Sequence, residues 1–133
     1  MLELADTYAE RCREYERLYL SAGLKFPVEA LEAADKHGLT DRSFAYGEHR
    51  IMFQWLCDAA RTREAFTLES FQKMNRARGY PVHPVHVLAF WWEEIVPTGL
   101  EAWARKIKNL EGIRTLNDRL KRIARRNMER LVA

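Results

Sequence analysis

Cysteine is scarce in this chain of 133 residues: there are two, Cys12 and Cys57, far apart and in no CxxC pair. That spacing excludes a disulfide framework and a thiolate metal knuckle, and it fits buried thiols in a reducing, cytoplasmic compartment. Six glycines and four prolines leave too few turn residues for a β-sandwich. Charged residues are spread through the first 25 positions, so no apolar signal-peptide core fits there. The uncharged run over residues 80–92 holds two prolines and is too short to span a bilayer, so no membrane role is expected. No GxSxG, Walker loop, GxGxxG or HExxH is present, and acidic side chains are dispersed as on solvated helix faces. A non-enzymatic protein without cofactor or metal is therefore expected.

What the chain does have is helical periodicity. An all-α, compact single-domain bundle of six to seven helices over residues 1–133 is the expected architecture. Ala5, Tyr8, Cys12, Tyr15, Tyr19 and Ala22 form one stripe of a first helix over residues 2–22, stopped by Gly23. Pro27 opens a second helix that Gly38 closes. A third helix is expected over 41–61 with Thr40 as its cap, and a fourth over 68–78 behind Thr67. Pro84 starts a fifth, through Val96, that is apolar nearly all round and so reads as the central, most buried one. A sixth is expected from Thr98 to about Leu110. Gly112 then breaks the chain before a seventh, for which Thr115 and Asp118 resemble a capping box.

Charge is segregated. Residues 1–104 carry 12 basic and 16 acidic side chains, whereas residues 105–133 carry 10 and 3. On a helix, Leu116, Leu120, Ile123, Ala124, Met128 and Leu131 share one arc, while Arg119, Arg122, Arg126 and Arg130 align on another side, flanked by Lys121 and Arg125. This basic amphipathic C-terminal helix favours an acidic partner: a protein surface, a nucleic-acid backbone, or the chain's own acidic part. With Arg114, and with Arg105, Lys106 and Lys108 in support, these are the candidate partner- or phosphate-binding residues.

Three further patterns compete. Ala34, Gly38, Leu39 and Phe44 match the spacing of a helix-turn-helix over residues 30–49, although His37 and Gly47 stand where apolar residues are usual. His83 and His86 form an HxxH, but Pro84 makes His83 a turn or cap residue and no further ligand lies close in sequence. Four tryptophans invite an interface reading, yet Trp55, Trp92 and Trp103 fall on apolar helix faces, which leaves Trp91 to reach the surface. Tyr8, Tyr15 and Tyr19 could form a partner or homodimer seam, since each buried hydroxyl needs a partner. The expected function is a small cytosolic regulatory protein, an adaptor or inhibitor, that binds an acidic partner protein. The alternative is a nucleic-acid-binding protein using residues 30–49, the basic helix over 114–130, or both.

Overall fold

The computed structural model describes residues 2–62 and 67–132, with side chains from Thr7 onward. It contains six α-helices: α1 Leu2–Lys25, α2 Pro27–His37, α3 Gly47–Thr62, α4 Leu68–Ala77, α5 Pro84–Trp92 and α6 Leu100–Val132, with short 3-10 turns at Asp41–Ser43 and Pro97–Gly99. Among the described residues there is no strand.

The first helix is the hub, packing on α2, α3, α5 and α6. It runs two residues past Gly23, which does not stop it. A Cβ at Gly23 would lie 3.0 Å from Leu56 and 3.1 Å from Ala30, so glycine there lets α2 and α3 approach closely. Tyr19, Phe44 and Phe53 form one aromatic cluster of the core. Trp55 stacked on Phe71, with Trp91 tilted against Phe71, forms another.

Local chemistry explains the connections. Gly38 closes α2 with φ +68°, and its N–H donates to Ala34 O. Thr67 caps α4 by accepting from Ser70 N–H at 3.2 Å. His83 Nδ1 accepts from Val85 N–H at 3.2 Å, the capping role expected of it.

Other expectations need correction. The third helix does not begin at residue 41. Thr40 N–H donates to Ser43 Oγ at 3.0 Å and closes a single 3-10 turn, Phe44 is extended and buried, and the helix restarts at Gly47. The helix-turn-helix spacing of residues 30–49 is thus not realised as two helices. The fifth helix is neither central nor fully buried: Val87 alone is fully buried, while Val85 and Trp92 are exposed. It also ends at Trp92 rather than Val96. Arg17 and Ser21 bind the Glu93 carboxylate and Lys25 Nζ binds the Glu93 carbonyl at 2.6 Å, which pulls the chain off the helix axis and across α1. Finally, there is no break at Gly112. Thr115 Oγ1 donates to Glu111 O at 3.0 Å inside one continuous 33-residue helix, so no seventh helix exists among the described residues.

Both cysteines are free and buried. Burial pushes the Cys12 thiol up and the Cys57 thiol up to about 11. Neither should react with a thiol reagent at pH 8 in the native state. Stoichiometric labelling should appear only on addition of denaturant, with a midpoint matching the loss of helical signal.

Candidate partner-binding helix

The sixth helix has two halves. Leu100, Ala104 and Ile107 are buried, and this proximal half packs on α1 and α2. Its last attachment is a small polar knot. Tyr8 Oη donates to Leu110 O at 2.8 Å. Arg114 donates to Ser43 O at 3.1 Å, to Arg42 O at 3.2 Å and to Tyr8 Oη at 3.4 Å. Burial, with Cys12 beside it, pushes the Tyr8 hydroxyl up to about 12 despite Arg114. The fold thus favours the neutral phenol. Its stabilising effect is complete below the ordinary tyrosine value near 10 and is lost as pH rises through about 12. In denaturant titrations from pH 9 to 12, the advantage of the native chain over Tyr8→Phe should shrink steadily above pH 10.

From Thr115 to Val132 every residue is exposed. At 1.5 Å per residue this distal half forms an arm of roughly 27 Å. Its apolar stripe meets water: Leu116 is 56 % exposed, Leu120 55 %, Ile123 47 %, Met128 64 % and Leu131 84 %. The stripe is not a continuation of the docked one. At 3.6 residues per turn, Leu116 lies about 180° around the axis from Ile107. The face that dries the body and the face that remains bare point in opposite directions.

Beside the bare stripe run Arg119, Arg122, Arg126 and Arg130, with Lys121 and Arg125 toward its other edge. None of these six makes an ion pair or side-chain hydrogen bond with the described residues. The described acidic side chains therefore do not absorb them. Arg114, grouped with them by sequence, is instead engaged by carbonyls of the body. Lys108 is similarly held, by Gly38 O at 3.2 Å and Glu111 at 3.0 Å. Arg105 and Lys106 are exposed on the proximal half.

The aromatic candidates turn inward. Tyr19 is fully buried and donates to Ala30 O at 2.6 Å. Tyr15 packs on the core, Tyr8 belongs to the polar knot, and Trp91 is half-buried against Phe71. Trp92, not Trp91, is the exposed tryptophan, at 71 %. Trp92 faces solvent because α5 lies at the edge of the bundle, not at its centre.

Sequence reasoning missed a buried carboxylate–imidazole pair. Glu16 is 1 % exposed, accepts the Ala45 N–H at 3.1 Å, and meets His49 Nδ1 at 2.9 Å. The signal was present, since Glu16 lies one turn after Cys12 and one before Tyr19, inside the apolar stripe of α1. Among the described residues no group of three or more His, Cys, Asp or Glu is placed to hold a metal ion, and no helix is long and apolar enough to cross a membrane. No family model, curated protein or solved structure matches this chain.

Proposed function

We propose that this is a non-enzymatic binding protein, an adaptor or inhibitor, whose distal α6 arm docks on an acidic partner protein. The observation that carries this reading is the bare apolar stripe from Leu116 to Leu131 beside uncompensated arginines. An apolar stripe left in water on a helix of fixed direction matches the way an amphipathic helix seats in a groove or against another helix. Fully burying one such side chain is worth about 1.5–3 kcal/mol, so the stripe supplies the affinity and the arginines choose the partner's sign.

Charge argues against a second copy as the occupant. The stripe is edged by Arg119 and Arg126 on one side and Lys121 on the other. Self-pairing aligns two basic helices well within the roughly 8 Å screening length of physiological salt. An acidic helix or acidic-rimmed groove relieves that repulsion. Asn127 falls inside the stripe, where a polar residue in a helix pair fixes register.

The nucleic-acid reading keeps one specific support, the straight ridge of Arg119, Arg122, Arg126 and Arg130, but phosphates give the neighbouring apolar stripe nothing to bury against. A titration separates the two. Labelled helical peptides with a leucine seam, edged by glutamates in one and by lysines in the other, are compared with a DNA duplex and with anionic vesicles at about 50 and 200 mM salt. The proposal expects the glutamate-edged peptide to bind, and binding to fail in Leu120→Glu/Ile123→Glu. Duplex binding alone, falling with a log–log slope near −0.9 per phosphate contacted, establishes the nucleic-acid reading instead. Vesicle binding alone, or self-association alone, refutes the protein-partner reading.

A further inference from the structure

Along α1, the start of α3 and α5 enclose a cleft of about 460 Å³. It is lined by Arg13, Arg17, Tyr46, Glu48, His49, His86 and Phe90. That volume suits a small molecule. At its floor, His49 is held on three sides. Glu16 takes Nδ1 at 2.9 Å, and the rings of Tyr46 and Phe90 meet the imidazole edge-on at 5.2 and 5.4 Å. A carboxylate can only accept, so Nδ1 carries the proton and donates it to Glu16. With Nδ1 taken by Glu16, Nε2 is the ring nitrogen left to meet a ligand. A second imidazole is fixed on the wall, where His86 Nδ1 meets Glu48 Oε1 at 2.7 Å while His83 N–H donates to the other oxygen at 2.7 Å.

Arg17 is paired with Glu93, and Glu48 is hydrogen-bonded to His86. The Arg13 guanidinium has no carboxylate among the described residues and lies over the Tyr46 ring, 5.4 Å from its centroid. A guanidinium fixed by an aromatic face keeps its N–H fork free for a planar or tetrahedral oxyanion. Phe90 and Tyr46 supply apolar walls.

We propose that this cleft binds a small oxyanion-bearing molecule with an aromatic or apolar body. Arg13 grips the oxyanion, and His49 and His86 donate to it once protonated. The orienting carboxylate behind each imidazole keeps the donor geometry fixed before the ligand arrives. The proposal is independent of the distal arm.

The test uses the full chain at about pH 6. Phenyl phosphate, benzoate and inorganic phosphate are titrated while the histidine ring nitrogens are followed by ¹H–¹⁵N NMR. Saturable binding of phenyl phosphate or benzoate is expected, with the His49 and His86 ring signals moving together and inorganic phosphate binding more weakly for want of a ring. Which of the two aromatic probes binds tighter distinguishes a phosphate from a carboxylate ligand. Arg13 is exposed, so Arg13→Gln retains the fold, and it should raise Kd at least about tenfold, or 1.4 kcal/mol. Deleting the arm should leave Kd unchanged. The proposal is overturned if no probe saturates, if the ring signals stay still while it does, or if Arg13→Gln binds like the native chain.

Discussion

Deleting residues 115–133 should abolish binding of the acidic partner while moving the melting temperature of the body by no more than a few degrees. Thr115–Val132 is exposed throughout and makes no side-chain hydrogen bond or ion pair with the described residues of the body, so the body loses little that it buries. The Tyr8–Leu110 bond and the Arg114 contacts to Arg42 and Ser43 lie upstream of the cut and remain. Single substitutions divide the two contributions. Leu120→Glu and Ile123→Glu each place a carboxylate where apolar contact is needed. Each should weaken binding by a factor of roughly 10²–10³, the loss of a central interface anchor of about 3–4 kcal/mol. Arg122→Glu/Arg126→Glu should act differently, slowing association and flattening its salt dependence. Thermal melts check the body, and binding kinetics at two salt concentrations check the arm. If the truncated chain still binds, the arm is not the docking element.

The largest effect on stability is expected at Glu16. Replacing it by alanine removes the acceptor for the buried Ala45 N–H and the partner of the buried His49 Nδ1 in one step. Breaking a buried pair from one side costs about 3–5 kcal/mol, a large share of the 5–15 kcal/mol that holds a domain together. The melting temperature should fall by roughly 10–20 °C. Glu16→Gln keeps an oxygen for Ala45 N–H and should cost about 1–3 kcal/mol, the neutral amide being the weaker partner for His49. Urea midpoints with an unchanged slope are the required readout. A Glu16→Ala variant as stable as the native chain removes the pair from any structural role.

Much of the fold could be read from residues with a local mechanism. Pro27, Gly38, Thr67 and His83 each set a helix boundary through a missing N–H, a left-handed φ or a side-chain acceptor, and each acts where the sequence places it. Glycine misled where nothing local decided. In open solvent Gly112 costs a helix only about 1 kcal/mol, less than a continuous backbone ladder returns. Gly23 answers to neighbours distant in sequence. Burial was harder still. The apolar α5 looked central because its neighbours were unknown, and its exposed Val85 and Trp92 depend on where α4 and α1 stop covering it. Of the candidate site, the aligned arginines could be read from spacing alone. That their apolar companions remain bare could not, because an amphipathic pattern specifies a face and not what covers it.

The half-turn between the two faces of α6 has a kinetic consequence. To hide its stripe on the body, the arm would have to swivel by half a turn or break its backbone ladder near Gly112, releasing Arg114 from Arg42 and Ser43. The contacts of Arg114 therefore oppose a closed form of the free protein. Encounter rates should rise linearly with partner concentration and never plateau, so that regulation of this protein falls to its supply and to the dissociation rate of its complex.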